Sequence, residues 1–198
     1  MSKNILFIDD NTIKDRTAVH GNIDPKLMYP DIKAAQDMYI HPLLGTALFK
    51  KIQDAINDGT ITTNGALANY KTLLDDYIVD ALVYYTLADL PTTISYQFWN
   101  KGVIRKQGNN TELPSMTELI DISNKYRLRA EHYANRLKMY LKQNAPLLFP
   151  EYLNPGSGID DQRPEQRAFT LPVYLGDDVK PYKTYAEKYQ GNKPNCDC

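Results

Sequence analysis

The chain has 198 residues, 42% apolar and 24% charged, with 23 Lys and Arg against 24 Asp and Glu, so its formal net charge is −1. That length points to one domain, or one domain with tails, and is enough to bury a real core. The charge balance excludes a protein that holds nucleic acid by bulk positive charge, and equally an acidic, self-repelling disordered chain.

Mean hydropathy is −0.50, and no apolar run approaches the ~20 residues of a membrane helix. The opening MSKNILFIDDN lacks the apolar stretch and cleavage site of a secretory leader, so a soluble, cytosol-made protein is expected. Residues 3–9 (KNILFID) form a short apolar, partly β-branched run and predict a strand ending at Asp9-Asp10-Asn11. Residues 10–30 are polar and broken by Gly21, Pro25 and Pro30, which predicts an extended arm. A first helix is expected from Asp31, a good N-cap after Pro30. It should stop at His41-Pro42, because a residue before proline disfavours helix. A second helix, about Leu43 to Asn57, carries Leu44, Leu48, Ile52 and Ile56 at helical spacing and ends at Asp58-Gly59.

After the Asn64-Gly65 turn, residues 66–90 predict a third helix with a broad apolar stripe that includes Leu74, Ile78, Ala81 and Tyr85. Its second half is apolar over most of its circumference and must be covered on more than one side. Pro91 should end or kink it. Residues 94–108 (ISYQFWNKGVIRKQG) are aromatic and β-branched around an Asn-Lys-Gly turn, and predict a short hairpin or protruding loop. Ser115 and Glu118 form a capping box that opens a fourth helix, running to about Asn144 and stopped by Pro146. Its expected apolar face includes Met116, Ile120, Tyr126, Ala130, Tyr133, Ala134, Leu137 and Leu141. Residues 155–198 mix proline and glycine with Phe169, Leu171, Tyr174, Tyr182 and Tyr185, too apolar for a solvated tail; AFTLPVYL (168–175) would suit strand addition.

The lengths carry an implication. A helix over 115–144 would span roughly 45 Å, whereas a globule made of the central residues would be roughly 35 Å across. The long helix therefore overhangs the body and is short of covering partners, which favours an oligomer. The 15 Tyr against 5 Phe and one Trp fit the same idea, since tyrosine suits surfaces buried on assembly. Half-buried core positions would call for the same residue.

No catalytic constellation is expected. The histidines His20, His41 and His132 stand apart, with no helical zinc pair. Cys196 and Cys198 cannot close a zinc site, and a bridge between them would be strained, so they read as a reduced tail end. Gly156-Ser157-Gly158 is a turn rather than a nucleophile elbow, and there is no phosphate-cradling glycine loop. Asp9-Asp10-Asn11 fails the calcium-loop pattern. Asp75, Asp76 and Asp80 lack the partner carboxylates and histidines of a metal-binding bundle. Residues 66–90 sum to −3, with Lys71 against Asp75, Asp76, Asp80 and Asp89. Residues 115–144 sum to +3, with Lys125, Arg127, Arg129, Arg136, Lys138 and Lys142 against Glu118, Asp121 and Glu131. Such opposite faces pair within the fold or between neighbours.

The blocks YIHPLLGTALFKKI (39–52), YKTLLDDYIVDALVYYTLADLPTTISYQFWNKGV (70–103) and YRLRAEHYANRLKMYLKQNAPLLFPEY (126–152) resemble the head–tail connector proteins of tailed bacteriophages. The likeness is greatest to the neck-ring proteins of crAss-like phages. It covers residues 30–155 and rests on the ordered series of blocks. The resemblance implies a helical adaptor without enzymatic activity, about twelve copies of which form a ring. That ring would lie under the portal protein in the virion neck, continue the DNA channel and offer a docking surface to neck and tail proteins. The protein would be made in the host bacterial cytoplasm and would touch no membrane. Residues 39–45 would join the first two helices, and Phe98 to Gly102 the two long ones.

The expected architecture is thus mainly α. It is a bundle of about four helices over 31–152, two of them long, with a short hairpin or loop between these. A strand and arm occupy 1–30 and a Pro/Tyr-rich tail 153–198. Residues expected to meet neighbours or partners are Phe98, Trp99, Lys101, Arg105 and Lys106 on the loop, and Asp76 and Asp80 on the third helix. Arg129 and Arg136 on the fourth helix join them, as do Phe169, Leu171, Tyr174, Tyr182 and Tyr185 in the tail. No catalytic residue, cofactor or metal is expected. The alternatives are a small DNA-binding or regulatory protein using the basic helix 115–144, and an enzyme with an atypical site around Asp75, Asp76 and Asp80.

Overall fold

The computed structural model describes residues 5–63, 65–100, 102–105, 114–154 and 162–165. The described chain is mainly helical. It opens with α1 (Asp10–Arg16), α2 (Pro25–Ala35), a π-helical turn (Gln36–Ile40) and α3 (His41–Leu44). Next come α4 (Thr46–Asn57), α5 (Thr60–Thr63), a 3-10 turn (Gly65–Leu67), α6 (Ala68–Leu73), a second π-helical turn (Leu74–Ile78) and α7 (Val79–Ser95). Strands β1 (Tyr96–Trp99) and β2 (Gly102–Arg105) precede α8 (Met116–Leu148) and α9 (Pro150–Leu153).

The first thirty residues depart most from the sequence expectation. Residues 5–9 form no strand, yet Phe7 and Ile8 are buried as an apolar run must be. Side-chain amides replace the missing sheet. The Phe7 N–H donates to Gln36 Oε1 at 2.8 Å, and Gln36 Nε2 donates to Ile5 O at 2.9 Å. A primary amide carries the same donor and acceptor as a peptide group, so the fully buried Gln36 stands in for a neighbouring strand. Gln36→Leu keeps the bulk and removes both bonds. With a buried N–H left unpaired, the expected loss is about 1–3 kcal/mol, measured as a lower urea midpoint at unchanged slope.

Nor are residues 10–30 an extended arm. Asp9 caps α1 by accepting from the Thr12 N–H at 2.8 Å; the Thr12 hydroxyl, which donates to the same oxygen, and then this N–H hold its carboxyl below the usual range. Asp24 caps α2 by accepting from the Lys26 N–H at 3.0 Å, with Pro25 in the first turn. A seven-residue helix has little stability of its own; full burial of Ile13 and Met28 is what holds these two elements. Asp31 is therefore inside α2 rather than capping it, and accepts from Thr93 Oγ1 at 3.0 Å. Burial pushes its carboxyl up.

The helix does not stop at His41-Pro42 either. In the π-helical turn the His41 N–H reaches back to Gln36 O, so Pro42 enters in the first turn of α3, where its missing N–H is tolerated. The stop is Gly45, with φ 75° and ψ 158°, a conformation that favours glycine. The α4 end at Asp58-Gly59 agrees with expectation.

The predicted third helix exists as α6, the second π-helical turn and α7, and it runs past Pro91 to Ser95. Leu82, Val83, Thr86, Leu87 and Leu90 are buried around most of the circumference of α7, as its composition requires. The hairpin is present, antiparallel, pairing Tyr96 with Arg105 and Trp99 with Gly102. Gly102, at φ 121°, takes the turn conformation that a side chain would strain. The capping box of α8 is formed: the Ser115 N–H donates to Glu118 Oε2 at 2.6 Å and the Glu118 N–H to Ser115 Oγ at 3.3 Å. The helix continues through Pro146 to Leu148, a length of roughly 50 Å.

The core lies between α7 and α8 and extends to α2 and α4. From α8 it takes Ala130, Ala134, Leu137, Leu141 and Ala145. The expected tail strand over 168–175, the turn at 156–158 and Cys196 and Cys198 fall outside the described residues.

Candidate interaction surfaces

The α7–α8 seam is built from tyrosine. Tyr77 stacks on Tyr140 with ring centroids 4.0 Å apart, and Tyr84 stacks on Tyr133 at 5.2 Å and on Tyr126 at 6.4 Å. Residues seven apart share a helix face, so Tyr126, Tyr133 and Tyr140 form one column facing Tyr77 and Tyr84. Arg136 lies 4.7 Å over the Tyr77 ring, and Arg129 lies 5.8 Å from Tyr126 and 6.0 Å from Tyr84. Tyr39 stacks on Tyr85 at 4.2 Å, and burial pushes the Tyr85 phenol up to about 12. In the described residues the tyrosine excess therefore serves packing within the chain.

The two oppositely charged helices pair within the chain. Asp80 receives Arg16 at 2.8 Å and Arg136 at 3.8 Å, and Asp89 receives Arg127 at 3.9 Å. All are substantially exposed, so each is worth at most about 1 kcal/mol and chiefly sets helix register. Of the residues expected to reach partners, Asp80 and Arg136 are brought together within the chain. Arg129 lines an open cleft of about 320 Å³ with Asp15, Arg16, Tyr84 and Tyr126. Asp76 is exposed on the second π-helical turn. Phe98, Trp99 and Arg105 lie in the hairpin, described here by its backbone pairing. Lys101, Lys106, Phe169, Leu171, Tyr174, Tyr182 and Tyr185 lie outside the described residues.

The part of α8 before Tyr126 stands off the main core. Leu119 is buried there, but Met116, Ile120 and Ile122 are exposed, although Met116 and Ile120 were expected on the apolar face. Farther along, Leu128 and Met139 are 68% and 70% exposed. They are eleven residues, close to three turns, apart, so they share the face opposite Ala130 and Ala134. Sequence reading missed this outer pair, because single apolar residues among charges give no periodic signal.

A second surface lies at the α3–α4 corner. The Thr46 N–H donates to Gln162 O at 2.9 Å, the Gln162 N–H to Thr46 Oγ1 at 2.8 Å, and the Glu165 N–H to Pro42 O at 2.9 Å. A Cβ on Gly45 would stand 2.7 Å from Pro164 Cδ and 2.9 Å from its nitrogen. His41 Nε2 is 2.9 Å from Thr46 Oγ1, and its ring packs on Phe49. Burial holds the His41 pKa below its ordinary value, against an opposing pull from Asp37. The unfolded chain therefore takes up a proton here first as pH falls. Stability from this group is complete above about pH 6.5 and declines below it. Urea midpoints at about pH 7.5 and 5.5 are expected to show the loss, and His41→Gln is expected to reduce it.

Lys51 pairs with Glu151 and lies 4.7 Å over the Tyr70 ring, and Tyr70 Oη donates to Glu151 Oε2 at 2.8 Å. This cluster ties α9 to α4 and α6. Among the described residues no group of three or more His, Cys, Asp and Glu is placed to hold a metal ion, and no helix is long and apolar enough to cross a membrane.

No curated protein and no solved structure matches the chain. A model of a family of unknown function, DUF6712, matches residues 40–162, from the last residue before α3 to the first residue docked on the corner. That span takes in the corner, the tyrosine seam and the whole of α8, more than half of the chain, and the protein therefore belongs to the DUF6712 family.

Proposed function

We propose that the chain is a structural virion protein, the subunit of a head–tail connector ring of a tailed bacteriophage. About twelve copies would sit under the portal in the neck, pass the DNA through a shared channel and offer a surface to neck and tail proteins. In this reading it acts by assembly, without catalysis, cofactor or membrane, and reaches the virion from the host bacterial cytoplasm.

The observation that carries the assembling part of this reading is α8. Its first turns stand off the core with Met116, Ile120 and Ile122 exposed, and Leu128 and Met139 project from its outer face. A helix that presents apolar residues outside its own core gains by packing on another copy. The sequence blocks that resemble connectors supply the word connector. They form the α3–α4 corner, the run from α6 to the hairpin, and the core-packed part of α8 with α9.

Mass spectrometry of purified phage particles is the deciding experiment. The protein is expected at a copy number near that of the portal, and its absence from particles would reject the role. A DNA-binding or regulatory role for the basic helix is the alternative. It has less support, because Arg127 and Arg136 already face Asp89 and Asp80. Tight duplex binding that weakens steeply with salt would favour it.

A further inference from the structure

The corner at Pro42–Thr46 joins two helix ends, where backbone groups lack intrahelical partners. Residues 162–165 of the same chain satisfy them. The Thr46 N–H donates to Gln162 O and the Glu165 N–H to Pro42 O, both at 2.9 Å. Pro164 fills the space beside Gly45 that a Cβ would need. Residues 154–161 tether this segment to α9, a short link that keeps it at high effective concentration near the corner.

One side chain in this contact also meets a titratable group. Thr46 Oγ1 accepts from the Gln162 N–H at 2.8 Å and lies 2.9 Å from His41 Nε2. Thr46 is only 3% exposed, so water does not stand in for a missing partner. A hydroxyl has one proton to donate and two lone pairs to accept with. When the neutral His41 ring carries its proton on Nδ1, the Thr46 hydroxyl donates to Nε2 and accepts from Gln162, and every group is satisfied. When Nε2 is protonated, the ring becomes a second donor to Oγ1. The hydroxyl proton then has no acceptor among the hydrogen bonds of the described residues, at a cost of about one hydrogen bond. The docked segment therefore selects the neutral ring and one of its two tautomers.

We propose that residues 162–165 are a pH-sensitive latch on the α3–α4 corner, released when His41 is protonated and the Thr46 hydroxyl can no longer serve both ring and segment. By linkage, docking holds the proton off the ring and protonation weakens docking. Burial, the largest influence on His41, also opposes the imidazolium. Of the charged groups around the ring, Asp37 on the π-helical turn favours the imidazolium, whereas Lys33 on α2 and Lys50 on α4 oppose it. Asp37 is itself paired with Lys33. The segment brings Arg163 and Glu165, and Glu165 faces Lys138 of α8 at 3.8 Å. Release is thus favoured as pH falls below the ordinary histidine range of about 6.5. It uncovers the Thr46 amide and the Pro42 carbonyl and detaches from the corner the chain that follows α9. The latch is a property of one chain and does not depend on the connector reading.

Nuclear magnetic resonance on the 15N-labelled full chain tests the latch. At about pH 7.5 the His41 ring is expected to carry its proton on Nδ1, and the Thr46 and Glu165 amides to be protected from exchange. Between about pH 7.5 and 5.0 their protection factors, corrected for the pH dependence of exchange itself, are expected to fall about fivefold, one hydrogen bond's worth. The fall should follow the titration of the His41 ring, while the amides of α8 keep their protection. His41→Gln removes the titration and is expected to leave the two amides insensitive to pH. Thr46→Ser keeps the hydroxyl and the fall; Thr46→Val is expected to abolish the fall although His41 still titrates. Absent protection at pH 7.5 overturns the latch, and protection that persists through the His41 titration overturns its release. A fall that survives in Thr46→Val shows that His41 does not act through the hydroxyl. If that variant does not fold, as its α8 amides report, the ring tautomer of the native chain decides, and a proton on Nε2 at pH 7.5 overturns the relay.

Discussion

Ala134→Asp is expected to lower stability by about 3–5 kcal/mol, a large share of the stability of an ordinary domain. Ala134 is 4% exposed on the face of α8 that packs on α7, with Ala130 and Leu137 beside it at helical spacing. Small residues at 130, 134 and 145 let the two helices approach, and the Tyr84–Tyr133 stack closes the flank. A carboxylate there loses its water on a packed apolar face, and its bulk pushes the helices apart. Denaturant unfolding followed by circular dichroism measures the loss. Asn135→Asp, one residue on and exposed, is the control and should stay within about 0.5 kcal/mol of the native chain. A native midpoint for Ala134→Asp would show that the packing face of α8 is elsewhere.

Phe149→Ala carries the other large effect, about 3–5 kcal/mol for a wholly buried aromatic ring. Phe149 is fully buried between α8 and α9, edge-on to Tyr70 at 5.2 Å and 6.1 Å from Tyr140. It joins the tyrosine seam to the Lys51–Tyr70–Glu151 cluster, so its loss removes packing from both and loosens α9. Two residues away, Leu147 is 89% exposed, and Leu147→Ala should leave the unfolding midpoint nearly unchanged. A small effect at Phe149 would mean that the end of α8 is not part of the cooperative core.

Contrasts of this kind show where the chain could be read in advance. The capping box at Ser115 and Glu118, the Asp58-Gly59 stop, the hairpin around Asn100 and the apolar stripe of α7 are local signals. In each, the residues that decide the conformation are close in sequence. Prolines misled for a related reason. Pro42, Pro91 and Pro146 were expected to stop helices, and all three lie inside or at the start of helical segments. A proline removes one helical hydrogen bond, but packing by Leu43, Leu90 and Ala145 on the same elements holds the backbone in line. The candidate surfaces were less legible still. Asp80 and Arg136 could be seen as opposite charges, but their pairing within one chain depends on which faces of α7 and α8 meet. The Gly45 corner looks from sequence like a simple helix joint. Its docked partner lies more than a hundred residues away, at Gln162.

The sequence by itself determined the helical class, the capping box of α8, the hairpin, the charge split between the two long helices and the need to bury α7 on several sides. All of these follow from propensity and periodicity over short spans. Only the tertiary structure decided that Gln36 would replace a strand for residues 5–7 and that α1 and α2 would form from a stretch with weak local signals. It also decided that the tyrosine columns would face inward and that Leu128 and Met139 would be left outside. Those outcomes depend on contacts between residues far apart in the chain. There, burial of Ile13, Met28 and the tyrosine rings outweighs the small differences in local preference.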